Sequence, residues 1–137
     1  MWRYESLKKE ALGWHFSVDD EGGESLLCLL DLFCQARWPC TATVRITRPT
    51  EEILRVPGML GRAIAPARLR IQFPRGAVAD ETWSIESAKT EMKLVLGAHK
   101  LRELSDAIQS LLENQNDFAI GPNVESDDSN IQFLWFW

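Results

Sequence analysis

Thr41-Ala42-Thr43-Val44-Arg45-Ile46-Thr47 sets apolar and polar side chains in strict alternation. Successive side chains of a strand point to opposite faces, so Ala42, Val44 and Ile46 turn one way and Thr41, Thr43, Arg45 and Thr47 the other. The period recurs downstream. Leu69, Ile71 and Phe73 alternate with Arg68, Arg70 and Gln72, and Trp83 and Ile85 alternate with Thr82, Ser84 and Glu86. One-sided alternation belongs to antiparallel sheets with a single covered face. A further strand, Thr90 to Leu96, follows the turn Ser87-Ala88-Lys89, which predicts a hairpin.

Two helices frame these strands. Ser25 to Arg37 reads as the first, stopped by Pro39, with Asp19 to Glu24 before it as a polar turn. Its polar positions Glu24, Asp31 and Gln35 fall in one narrow stripe, which predicts a deeply buried helix. The second helix spans Ala98 to Glu113, and its Leu101, Leu104, Ile108, Leu111 and Leu112 share one face.

Outward from there, Trp14, Phe16 and Val18 predict a first strand, and Asp117 to Ile120 a short late one. The final run, Ile131-Gln132-Phe133-Leu134-Trp135-Phe136-Trp137, is apolar on both faces of a strand. It is expected to dock in the sheet, with Leu134 and Phe136 facing away from the core and needing a separate cover. Residues 49–66 hold three prolines and two glycines, yet also Ile53, Leu54, Val56, Met59, Leu60 and Ile64. A long apolar loop of this kind is often a lid or cover. This segment, or the N-terminal Trp2, Tyr4 and Leu7, is expected to provide the cover.

The predicted fold is therefore α+β, a mainly antiparallel sheet of about six or seven strands with two helices packed on one face. Residues 1–137 make a single domain, with Trp14, Phe33, Ile71, Trp83, Leu94, Leu104, Ile108, Phe133 and Trp135 in its core.

Catalytic signatures are weak. His15 and His99 sit in no spaced motif. His15 falls on the polar side of its strand, and His99 in the first turn of the second helix, where a solvated or capping role is ordinary. Cys28 and Cys34 lie about 120° apart on the first helix and Cys40 lacks a C-x-x-C companion, so all three read as small buried hydrophobes. The acidic clusters at residues 19–24 and 125–128 do not match a calcium loop, and Gly22-Gly23 lacks the rest of a phosphate cradle. No metal or cofactor is expected.

The formal net charge of −5 argues against nucleic acid and against an anionic membrane surface. The N-terminus lacks the apolar core of a signal peptide, and the cysteine count suits reduced thiols, which places the protein in the cytoplasm. The expected function is a non-catalytic protein-interaction module of the adaptor, immunity-like or chaperone-like kind, with a protein partner. A monomer is favoured over a homodimer. The alternative is a small enzyme or ligand-binding protein with a pocket beneath residues 49–66. The candidate interaction surface comprises Leu134, Phe136, Met59, Leu60, Arg45, Arg68 and Arg70.

Overall fold

Asp19 starts the first long helix: its carboxylate accepts a hydrogen bond from the Gly22 amide at 2.8 Å, and Asp20 and Glu21 follow in the first turn. A side-chain cap and acidic residues at this end satisfy free amides and oppose the helix dipole. In this computed structural model, residues 1–4, 13–55, 62–74, 80–88, 90–113, 118–121 and 134–136 are described. Their elements are β1 (Arg3–Tyr4), β2 (Trp14–Phe16), α1 (Asp20–Gln35), β3 (Cys40–Arg45), α2 (Glu51–Arg55), β4 (Ala63–Ile64) and β5 (Arg68–Phe73). After these come β6 (Trp83–Ser87), β7 (Glu91–Leu96), α3 (Ala98–Leu112), β8 (Phe118–Ile120) and β9 (Leu134–Phe136).

The fold is α+β, as the alternation implies, but the described strands do not form one sheet of six or seven. They divide into sheets of four (β3-β5-β7-β6), three (β2-β9-β8) and two strands (β1-β4). The four-stranded sheet is antiparallel except for β5 and β7, which run parallel because β7 returns between β5 and the outer strand β6. The pair β2–β9 is also parallel.

Both long helices cover one face of the four-stranded sheet. Leu69, Ile71 and Phe73 of β5 and Met92, Leu94 and Leu96 of β7 are buried at alternate positions of their strands. They meet Leu26, Leu30 and Phe33 of α1 and Leu101, Leu104 and Ile108 of α3 in one core. Phe33 stacks on Phe73 with ring centroids 6.5 Å apart. Each such buried side chain contributes roughly 1.5–3 kcal/mol against leaving it exposed.

α1 begins five residues earlier than its apolar pattern predicts, because the polar run before Ser25 is a helix cap and first turn. This puts Gly22 and Gly23 inside the helix, and Gly23 is where α1 approaches α3. A Cβ at Gly23 would stand 2.7 Å from Leu112 Cδ2 and 3.1 Å from its Cγ. Nor is α1 deeply buried. Gly23, Leu26, Leu30 and Phe33 form its covered stripe, while Leu32 is 62% exposed. Its single neighbouring layer covers only one side.

β2 is buried on both faces. Trp14 and Phe16 enter the main core. His15, expected on a polar side, is wholly buried between Trp2 and Tyr4, with centroid distances of 5.5 and 5.2 Å. Trp2 and His15 exchange backbone hydrogen bonds of 2.9 and 2.7 Å. Ile53, Leu54, Ala63 and Ala65 complete this satellite cluster, and the Tyr4 hydroxyl donates to the Leu54 carbonyl. The N-terminus and the described parts of 49–66 are thus joint covers, with α2 and β4 where a loop was expected.

β9 pairs with β2 so that Leu134 stands opposite Trp14, Trp135 opposite His15 and Phe136 opposite Phe16. Leu134 and Phe136, expected to face away from the core, have side chains that lie outside the described residues. They also belong to a different sheet from the arginine-bearing strands. Of the expected core, Trp14, Phe33, Ile71, Leu94, Leu104 and Ile108 are buried and Trp83 is half-buried at the edge strand β6. The side chains of Phe133 and Trp135 lie outside the described residues.

Gly23→Leu is expected to destabilise the protein by ~1–3 kcal/mol through overpacking. Adding Leu112→Ala should recover part of that loss, read as coupling in a double-mutant cycle by urea unfolding. Strict additivity would contradict the close approach of the two helices.

Candidate functional site

The strand register arranges the outer face of the four-stranded sheet in rows. Arg45 of β3, Arg68 of β5 and Glu91 of β7 form one row. Thr43, Arg70, Lys93 and Glu86 form the next, and Thr41, Gln72, Val95 and Ser84 the third. Thr41, Thr43, Arg45, Arg68 and Arg70 are all exposed, so this part of the face is open. It is open because both long helices took the other side.

Charge on this face is uneven. Lys93 is held by Glu86 at 3.2 Å. Arg45, Arg68 and Arg70 form no ion pair among the described residues. Arg45 stands directly across from Arg68, and Arg70 across from Lys93. Like charges placed opposite one another on a sheet destabilise it, by roughly 0.2–1 kcal/mol per pair. Four cations share the face with two carboxylates, a positive surplus on a chain whose net charge is −5.

Of the seven candidate residues, only the arginines have described side chains. The three arginines are neighbours. Leu134 and Phe136 lie in the other sheet, and Met59 and Leu60 fall outside the described residues. The sequence reading missed Trp38, which is 78% exposed and lies just before β3. Pro39 ends the helical pattern there, leaving Trp38 in a short connection outside either period; its carbonyl accepts from Cys40 Sγ at 3.2 Å.

The remaining chemistry-bearing groups are scattered. Cys28 and Cys34 are exposed rather than buried, because they flank the covered stripe of α1, and Cys40 is half-buried; all three are free thiols. His99 is exposed and hydrogen bonded through Nδ1 to Glu81 Oε1, while its amide donates to the Asp80 carbonyl at 3.1 Å. Lys100 is buried and donates to Glu103 at 2.8 Å. A shallow recess of about 330 Å³ opens between α3 and β8, lined by Glu103, Asp106, Ser110 and Ile120 among others. None of the described residues of 49–66 lines it. Among the described residues, no group of three or more His, Cys, Asp or Glu is placed to hold a metal ion, and no helix is long and apolar enough to cross a membrane.

No protein-family model matches the chain, and no curated protein or solved structure is similar enough to it to match.

His15 carries a pH signature. Burial pushes its imidazole down from the ordinary 6.5 to about 4. The unfolded ring takes a proton near 6.5 and the folded ring only near 4, so the stability it contributes is whole above pH 6.5. That contribution declines as pH falls toward 4, by on the order of 3 kcal/mol. Urea unfolding of wild type and His15→Phe at pH 7 and pH 4.5 checks this. The variant, which keeps a ring between Trp2 and Tyr4, should lose distinctly less stability on acidification; an identical loss in both would contradict a neutral buried His15.

Proposed function

We propose that this protein is a non-catalytic interaction module whose recognition surface is the open, arginine-bearing face of the four-stranded sheet. The observation that carries this reading is the grouping of Arg45, directly across from Arg68, with Arg70 two residues along the same strand, none of the three in an ion pair among the described residues although Glu91 stands across from Arg68. Arginine presents a planar fork of donors suited to carboxylates, so a protein partner rich in Asp and Glu matches the face. Trp38, exposed just before β3, offers an aromatic ring suited to a partner's apolar side chain.

The molecule works as a monomer in this reading. The second face of β2 is already covered by Trp2 and Tyr4 of the same chain, which removes the need for another subunit there. Three free cysteines, two of them exposed, suit a reducing compartment such as the cytoplasm.

Random linear peptides displayed on phage and selected on the immobilised protein should enrich for spaced Asp and Glu. The same selection on the triple variant Arg45→Glu, Arg68→Glu, Arg70→Glu should lose that enrichment, with the melting temperature little changed because all three positions are exposed. Equal enrichment on both proteins would contradict the assignment of the surface.

A further inference from the structure

We infer that the partner docks as an extended acidic segment that adds a strand to the free edge of β3. This rests on the interaction reading above and specifies how the contact is made. Among the described residues β3 is the terminal strand of its sheet, paired on one side with β5. Its backbone orientation follows from one hydrogen bond. The Ile46 amide donates toward β5, to the Ala67 carbonyl at 3.0 Å, and the peptide before it is trans. The Arg45 carbonyl therefore points the other way, off the sheet.

The register with β5 runs unbroken from Cys40 to Arg45, so the direction alternates. Ala42 and Val44 turn their backbone groups to β5, and Thr41, Thr43 and Arg45 turn theirs to the edge. The residues with edge-facing amides and carbonyls are also those with exposed side chains on the outer face. A strand laid along this edge gains ladder hydrogen bonds and brings alternate side chains beside Thr41, Thr43 and Arg45. Carboxylates at those positions meet Arg45 directly, with Arg68 and Arg70 on the next strand inward.

Charged side chains on an edge also deter unwanted pairing. That role accounts for Arg45 but not for Arg68 and Arg70, which lie on the interior strand β5. A second copy of this chain is a poor occupant, since pairing β3 with β3 sets arginine faces side by side. Nucleic acid is a poor one too, given Glu86 and Glu91 on the same face and the net charge of −5.

The test uses a short fluorescent peptide alternating Glu and Val, and two forms of it N-methylated on alternate amides in opposite registers. Methylation removes a donor and adds bulk only on the edge where it sits. Fluorescence anisotropy should show the parent peptide binding the wild type and weakening by about tenfold or more on Arg45→Glu with Arg68→Glu. One methylated register should bind like the parent, and the other should lose about tenfold or more. Equal binding by both methylated forms, with the arginine dependence kept, would overturn strand addition and leave the acidic-partner reading standing. Parent binding that is absent, or unchanged in the arginine variant, would overturn both.

Discussion

The contact between Gly23 of α1 and Leu112 of α3 lets two long helices share one face of a four-stranded sheet. A Cβ at Gly23 would stand 2.7 Å from the Leu112 side chain, which would have to shift for the helices to keep this approach. With both helices on one side, the opposite side stays open. Arg68 and Arg70 of β5 and Glu91 and Lys93 of β7 are the complement of the buried Leu, Ile and Met on the same strands. The face assigned to recognition is thus a consequence of how the core is covered.

β2 solves a different problem. A strand buried on both faces needs two layers, and this one receives the main core on one side and the Trp2–Tyr4 cluster on the other. The backbone bridge between Trp2 and His15 fixes the N-terminal segment in place, and Arg3 lies over the Trp14 ring at 5.3 Å. An imidazole, which can stay neutral at physiological pH, fits a site enclosed by two aromatic rings where a permanent charge would not.

Much of this was legible in the sequence. Alternation located β3, β5, β6 and β7 to within about two residues, and helical period located α3 to within one residue of its end. The shared face of Arg45, Arg68 and Arg70 followed once their strands were neighbours. Strand direction was not legible, because alternation is the same in parallel and antiparallel pairs; hence β5–β7 and β2–β9 came as parallel. The start of α1 was hidden because Asp19-Asp20-Glu21-Gly22-Gly23 has turn composition, and only the cap at Asp19 shows it to be helical. Exposure of Leu32, Cys28 and Cys34 was hidden because periodicity gives a helix's apolar faces but not how many neighbours cover them. Trp38 carried no periodic signal at all.

A sheet edge that accepts a partner must leave its backbone groups unpaired in the free protein, and β3 should do so in alternation. Residue-resolved amide hydrogen exchange by NMR is the most direct measurement of this. Ala42, Val44 and Ile46 are expected to exchange slowly, and Thr41, Thr43 and Arg45 rapidly, in the absence of any partner. Uniformly slow exchange from Thr41 to Ile46 would mean that the edge is already covered, and would contradict β3 as the docking strand.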